Sequence, residues 1–201
     1  VTIAHDAVIL AAGGSRRLGR PKQLLTVDGE PLVARVARLA LGTRPSRTLV
    51  IVGAYEDDVA AALAPCDVEI VANTAWTTGM ASSLQLAARA LHGRGRPVLL
   101  TVVDQPSLMA SHFAALLAAH DDGRDTVSAY GDALGVPAVL RASTLARATA
   151  LDGDTGFRRL WAKVPPRAVR ADELGEDLDD EADVTRAMAA GLLDDPRNKL
   201  A

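Results

Sequence analysis

The sequence predicts an α/β protein of three layers, α/β/α, built on a mainly parallel, mixed sheet. Strand-like and helix-like segments alternate through roughly the first 120 residues, the pattern of parallel strands joined by helical crossovers. The strand-like segments are mostly unbroken apolar runs, so both faces of the sheet should be covered. Hydrophobic residues make up 49% of the chain but aromatics only 3%, and a core of Ala, Val and Leu suits helices packed tightly on a sheet.

The first buried strand is residues 7–12, which carry no polar side chain. Gly13-Gly14-Ser15 follows at once, and then Arg16, Arg17, Arg20 and Lys22 with no acid among them. Adjacent glycines admit backbone angles that a β-carbon would block, and leave several N–H groups free to point at one object. A strand end, a glycine turn and a cationic loop describe a polyphosphate site. The spacing is neither Gly-x-x-x-x-Gly-Lys-Ser/Thr nor Gly-x-Gly-x-x-Gly, so the P-loop and the dinucleotide fingerprint are both excluded.

Residues 23–27 read as a short extended piece closed by the turn pair Asp28-Gly29. Pro31 opens a helix whose apolar positions Leu32, Val33, Val36, Leu39 and Ala40 recur at helical spacing up to Gly42. Residues 47–53 form a second buried strand, and an Ala-rich helix over 57–63 stops before Pro65. The alternating segment 67–71 predicts a half-exposed strand near the sheet edge. A polar loop from Asn73 leads into a helix over 82–91. Residues 97–103 form a fourth strand that ends directly on Asp104-Gln105-Pro106. Ser111 reads as the cap of a helix reaching His120. Beyond it come a turn at 121–124, a strand at 126–130, a glycine-punctuated connection over 131–137, and core residues 138–140. Helical pieces at 142–150 and 156–162, a small strand at 168–170, an acidic loop over 172–183 and a helix over 182–193 complete the pattern.

Net charge is −3, which points to neither nucleic acid nor an anionic membrane as partner. Cys66 is the one cysteine, so no internal disulfide forms, and the four scattered histidines suggest no zinc cluster. No apolar run approaches a membrane span, and the chain starts on a strand rather than a signal peptide. These features predict a cytoplasmic monomer organised as a single domain over residues 1–198. Val1 in place of Met suggests processing, an alternative start codon or trimming, and Lys199-Leu200-Ala201 reads as the start of an expression-vector tail.

Asp104 emerges from a core strand at the sheet edge where ligands bind, a suitable place for a carboxylate that holds Mg²⁺. One carboxylate holds that ion only if phosphates supply other ligands, so Asp104 and the cationic loop support each other. Asp177 and Asp179 offer a second carboxylate. From the residues alone the acidic loop either serves the N-terminus of the last helix or folds back to the metal. Ser82 and Ser83 read as helix caps, and Trp76 as a cover for the core edge or a stacking surface. Asp154 and Arg158 flank a polar turn suited to the anionic part of a second substrate. His112 and His120, read as partly exposed, and Cys66 are assigned no role.

Leu10-Ala11-Ala12-Gly13-x-Ser15-x-Arg17-Leu18-Gly19-x-x-Lys22 resembles the signature of the molybdopterin nucleotidyltransferases. The resemblance continues through Asp28-Gly29-x-Pro31, the stretch from Gly79 to Leu84, Asp104-Gln105-Pro106, Gly135-Val136-Pro137, Gly153-Asp154-x-Gly156-x-Arg158 and Asp177-Leu178-Asp179. It implies a Rossmann-like nucleotide-diphospho-sugar transferase fold, with a nucleotide-binding part at about 7–110 and an acceptor-binding part at about 111–193. The most similar branch is that of the molybdenum cofactor cytidylyltransferases, and it implies CTP and molybdopterin as substrates. Mg²⁺, or alternatively Mn²⁺, is the implied metal, and transient contact with a molybdenum hydroxylase or its accessory proteins is implied as well. By the same resemblance Leu10, Ala11, Ala12, Gly13, Gly14 and Ser15 cradle the nucleotide, with Arg17 and Lys22 on its phosphates. Gly79, Ser82 and Ser83 meet the base, and Asp104 holds the metal together with Asp179, preferred over Asp177. Gly135, Pro137, Asp154 and Arg158 line the pterin side. The guanylyltransferase branch has Leu-Ala-Gly-Gly where this chain has Leu10-Ala11-Ala12-Gly13, and the added methyl favours CTP over GTP.

Overall fold

The computed structural model describes residues 3–195; the readings made for Val1 and for residues 199–201 lie outside the described residues. In chain order the elements are β1 (Asp6–Ala11), β2 (Thr26–Val27), β3 (Glu30–Pro31), α1 (Leu32–Leu41), β4 (Thr48–Val52), α2 (Glu56–Leu63), β5 (Glu69–Ala72) and α3 (Met80–Ala90). They continue as β6 (Val98–Val102), α4 (Ala110–Ala119), β7 (Thr126–Tyr130), β8 (Ala133–Leu140), α5 (Ala142–Ala146), α6 (Arg158–Trp161), β9 (Arg167–Arg170) and α7 (Glu181–Ala189).

The side chains of β1 decide the layering. Ala7, Ile9 and Ala11 join a core with Val33, Val36 and Ala40 of α1, Val59 and Leu63 of α2, and Phe113 and Leu116 of α4. Val8 points the other way, into a core with Leu84 and Ala87 of α3, Leu145 of α5 and Trp161 of α6. Both faces of the sheet's centre are therefore dry, which is why β1, β4 and β6 read as continuous apolar runs. Each aliphatic side chain buried in this way contributes about 1.5–3 kcal/mol relative to leaving it in water.

Seven strands form one sheet in the order β5-β4-β1-β6-β8-β7-β9. β1 pairs in parallel with β4 and with β6, and β5 flanks β4 at the edge, as its alternation predicts. β8 is antiparallel to β6 and β7, and β9 is parallel to β7. The sheet is thus mixed but mainly parallel, with β8 the strand that runs against the others.

That reversed strand corrects one expectation. Residues 131–137 are not a connection: Gly131 and Asp132 make a tight turn, and β8 begins at Ala133. So short a turn can only return an antiparallel strand. Gly135 and Pro137 looked like loop punctuation, yet the ladder pairs Val127 with Ala138 and Ser128 with Gly135. Val136 and Pro137 are skipped, so the missing N–H of the proline costs no ladder bond.

Two expected caps are also corrected. α4 starts at Ala110 behind an extended Met109, with Ser111 inside its first turn and no side-chain cap bond. α3 starts at Met80, so Ser82 and Ser83 lie within the helix and are not its caps. His112, read as partly exposed, is buried and hydrogen-bonded to Ser128 Oγ at 2.7 Å. α7, in contrast, has a reciprocal cap: Asp180 accepts from Ala182 N and Asp183 N, while Asp183 accepts from Asp179 N and Asp180 N. A third cluster packs Leu178, Val184 and Ala187 against Leu18 and Leu32. It carries the acidic segment across the chain to the cationic loop.

Candidate active site

The chain leaves β1 towards β4 and β5, then crosses back to β6 on the other side of β1. At such a reversal the crossovers diverge and open a crevice beyond the carboxyl ends of the strands. A cavity of about 410 Å³ occupies that place. Its walls are residues 10–17, from the last two residues of β1 into the loop behind it, and Val102, Val103 and Asp104 at the end of β6, with Lys22, Gln23, Trp76, Gly79, Met80, Ser83, Asp154 and Asp179 around them.

Gln23 holds the loop after β1 in shape. It is 1% exposed, and its Nε2 donates to Ala11 O at 2.9 Å and to Gly13 O at 2.7 Å. Sequence reasoning read Gln23 only as part of an extended piece; the available signal was a lone amide beside two leucines. Lys22 N donates to Ser15 Oγ at 3.2 Å, closing the loop on itself, with Ser15 at φ 46°. Trp76 lies directly on the glycines: a β-carbon at Gly14 would come within 2.8 Å of its ring. The Arg16 guanidinium sits over that ring, 5.9 Å from its centroid. Trp76 is therefore part of the cavity wall.

The cations of the loop divide. Arg20 turns out of the cavity and makes two hydrogen bonds of 3.0 Å to Glu181 of α7, so it is not part of the expected phosphate-binding set. Lys22 points inward. Its Nζ donates to Asp104 Oδ2 at 2.6 Å, Leu178 O at 3.1 Å and Asp179 Oδ1 at 3.4 Å. Arg17 completes the row, 2.7 Å from Asp179 Oδ2. Burial pulls the Lys22 pKa down, but attraction to Asp104, with the hydrogen bond between them and a weaker pull from Asp179, raises it overall. The lysine is an ammonium at any physiological pH.

Asp104 and Asp179, far apart in sequence, share one wall because Leu178 N donates to Asp104 O at 3.0 Å. Asp177 lies outside the cavity lining, in a smaller depression with Pro106 and Arg186. Burial, reinforced by the Asp104 charge, pushes its carboxyl up to about 6. The donors present suit a hard divalent cation: Asp104 Oδ1 is buried without a hydrogen-bond partner, and Asp179 stands beside it. Among the described residues no third His, Cys, Asp or Glu completes a cage, so other ligands must come from a bound phosphate or water.

On the opposite wall, Asn73 Nδ2 donates to Ser82 Oγ at 2.8 Å and Ser83 Oγ at 2.9 Å, and Ser82 Oγ donates to Gly79 O at 2.8 Å. Gly79 has φ +110°, and a β-carbon there would run into the backbone of Gly153 and Asp154. Ala81 N donates to Gly153 O at 3.0 Å, and Met80 N to Asp154 Oδ1 at 3.3 Å. The 79–83 and 153–154 segments thus form one unit. Gly135, Pro137 and Arg158 lie outside the cavity lining. Gly135 leaves room for Tyr130, whose hydroxyl occupies the space a side chain at 135 would need.

No helix among the described residues is long and apolar enough to cross a membrane. Residues 7–169 match the MobA-like NTP transferase domain family. The nicotine blue oxidoreductase of Paenarthrobacter nicotinovorans is 32% identical over 191 residues, spanning 90% of this chain and 93% of that protein. The crystal structure of a homologue of Mycobacterium tuberculosis Rv0371c from Mycobacterium sp. strain JC1 superposes with a TM-score of 0.76 at 30% identity, over 94% of this chain and 96% of that one. A nucleotidyl transferase from Methanothermobacter thermautotroptrophicus shares the fold at 22% identity, with a TM-score of 0.81 over 94% of this chain and 98% of that one. The three-layer architecture is that of the nucleotide-diphospho-sugar and NTP transferases. The chain belongs to the MobA-like NTP transferase family.

Proposed function

We propose that the protein transfers CMP from CTP to the terminal phosphate of molybdopterin, releasing pyrophosphate. The observation that carries this reading is the convergence of Arg17, Lys22, Asp104 and Asp179 at the carboxyl ends of β1 and β6. Two cations beside two carboxylates suit a phosphate chain that arrives with a metal ion.

In this reading residues 10–15 cradle the nucleotide, and Arg17 and Lys22 take the charge of its phosphates. The acceptor lies towards Asp154, between the 79–83 segment and the region of Tyr130 and Arg158. An acceptor phosphate oxygen attacks the α-phosphorus of CTP; the new P–O bond forms as the bond to the β-phosphate oxygen breaks, and both electrons of that bond leave with pyrophosphate. A phosphate monoester is already anionic, so the step needs no strong general base. The chain's work is positioning and charge neutralisation. Mg²⁺ or Mn²⁺ on Asp104 and Asp179 would neutralise phosphate charge as a Lewis acid.

CTP is preferred to GTP on the strength of Ala12, a residue of the cavity lining that stands where the guanylyltransferase branch has glycine. One methyl in a pocket is worth about 1–3 kcal/mol of discrimination. The division into a nucleotide part at about 7–110 and an acceptor part at about 111–193, and a cytoplasmic location, belong to the same proposal. Pyrophosphate release from CTP, GTP and ATP, with and without molybdopterin, tests it: the expected result is release that requires molybdopterin and is fastest with CTP. Release with GTP alone would overturn the base assignment.

The relative from P. nicotinovorans supports a second reading, in which the same framework serves a redox reaction. Turnover of nicotine blue with an added two-electron reductant, and no pyrophosphate from any triphosphate, would favour it.

A further inference from the structure

We propose that the charged groups at the centre of the cleft form an exchange lock. In the ligand-free protein, each cation that serves phosphate is held by a carboxylate that serves metal, so metal and nucleoside triphosphate bind cooperatively and each binds poorly alone. This rests on the proposed function only in taking Asp104 and Asp179 as metal ligands and Arg17 and Lys22 as phosphate ligands. Neither the acceptor nor the choice of base enters the argument.

The groups form one continuous row. Arg17 meets Asp179 at 2.7 Å, Asp179 meets Lys22 at 3.4 Å, and Lys22 meets Asp104 at 2.6 Å. Two positive and two negative charges cancel. The row is graded in exposure: the Arg17 side chain is 67% exposed and Asp179 42%, but Lys22 and Asp104 are only 15% and 19% exposed. The inner pair is therefore the part whose unbalanced disruption costs most, because a charge left alone in a poorly hydrated site loses both partner and water.

Single ligands disrupt that balance. A divalent cation approaching Asp104 by itself meets the Lys22 ammonium already on Oδ2, and displacing it leaves the lysine with Leu178 O at 3.1 Å and the more distant Asp179 carboxylate at 3.4 Å, which Arg17 and the metal also claim. A triphosphate by itself draws Arg17 and Lys22 away and leaves Asp104 and Asp179 bare beside further negative charge. When both arrive, partners are exchanged: the cations pass to phosphate and the carboxylates to metal, and each charge stays compensated. Asp104 Oδ1, buried and unpartnered, is an acceptor the resting row leaves unused. By linkage, whatever factor the metal adds to triphosphate affinity, the triphosphate adds to metal affinity.

The test is a Mn²⁺ titration of the full chain followed by electron paramagnetic resonance, which reads free Mn²⁺ and needs no turnover. It is run with Mn²⁺ alone and with saturating non-hydrolysable analogues of CTP and of GTP, each against a protein-free titration that subtracts the Mn²⁺ chelated by the analogue itself, so that neither chelation nor a wrong base assignment masks the coupling. In the wild type an analogue should tighten Mn²⁺ binding by a factor within the usual coupling range of about 5–150. Lys22→Met, which removes the occupant of Asp104, should bind Mn²⁺ alone about tenfold more tightly than wild type, by the same range of couplings. That gain should vanish in the double variant Lys22→Met/Asp104→Asn. Arg17→Met, at the exposed end, should shift Mn²⁺ binding in the same direction by less, and decides the matter if Lys22→Met does not fold. No tightening in the folded Lys22 variant, or in Arg17→Met where it stands in, overturns the lock, as does a wild-type Mn²⁺ affinity that neither analogue changes. Failure of CMP transfer to molybdopterin with these couplings intact would count against the proposed acceptor alone.

Discussion

The two walls of the cleft are held by different means. On the β1/β6 wall, Ala12–Ser15 and Asp104 follow directly from strands paired in parallel and buried on both faces, so their positions are inherited from the sheet. On the facing wall, Gly79, Ser83 and Asp154 stand on segments that hold one another, through Ala81 N to Gly153 O and Met80 N to Asp154 Oδ1. One wall is rigid because of what lies beneath it, the other because of what lies beside it. The first should therefore lose chemistry when a functional group is removed and keep its shape. The second should lose shape when packing changes, even where no functional group is touched.

Asp104→Asn is the largest expected effect. It keeps the volume and removes the charge, so turnover should fall by about 10³-fold, the scale of losing a main electrostatic contact to the reacting phosphate, while the fold persists with a lowered melting temperature because the Lys22 ammonium loses its nearest carboxylate. A near-normal rate of pyrophosphate release would break the assignment of the β1/β6 wall. Gly79→Ala is next. Its methyl would enter the backbone of Gly153 and Asp154 from a positive φ, so stability should drop by about 1–3 kcal/mol. Because the two segments move together, turnover should fall as well. Chemical denaturation beside steady-state rates reads both, and a stable, active variant would show that the facing wall is not a coupled unit. Gly135→Ala should cost about 1–2 kcal/mol by expelling the Tyr130 hydroxyl from the space it fills, and thermal melts would register it; unchanged stability would mean that Tyr130 moves freely. The smallest effect separates two neighbouring arginines. Arg17→Ala should lower kcat/KM by about tenfold, the value of one charge contact near 1.4 kcal/mol, whereas Arg20→Ala should leave it within about twofold. Equal effects would mean that the Arg20–Glu181 pair does not persist in solution.

The β1/β6 wall was largely legible in the chain. A strand without polar residues, a glycine pair and a strand that runs straight into Asp104 are local facts, and the reversal of strand order at β1 turns them into one site. The facing wall was legible as residues but not as geometry. Ser82 and Ser83 look like caps because a serine after a glycine loop is a common cap, yet the helix starts at Met80 and Asn73 takes both hydroxyls. Residues 131–137 look like a connection because glycine and proline punctuate loops; only the pairing of residues 133–135 and 138–139 with β7, on either side of the skipped Val136 and Pro137, makes 133–137 part of a strand. Arg16, Arg17 and Arg20 cannot be told apart by spacing, since their partners, Trp76, Asp179 and Glu181, lie far along the chain.

By itself the sequence determined the layered α/β architecture, the glycine-cation loop and the strand-end carboxylate, because each rests on the period of apolar residues or on the character of adjacent groups. Tertiary structure alone decided that Arg20 turns away from the cleft and that Gln23 and Trp76 shape the loop, whereas Arg17, Lys22 and the preference for Asp179 over Asp177 were already implied by the family resemblance. The turn of Arg20 and the shape of the loop are set by contacts between segments up to about 160 residues apart, such as Arg20 with Glu181, and no local pattern encodes a partner at that distance.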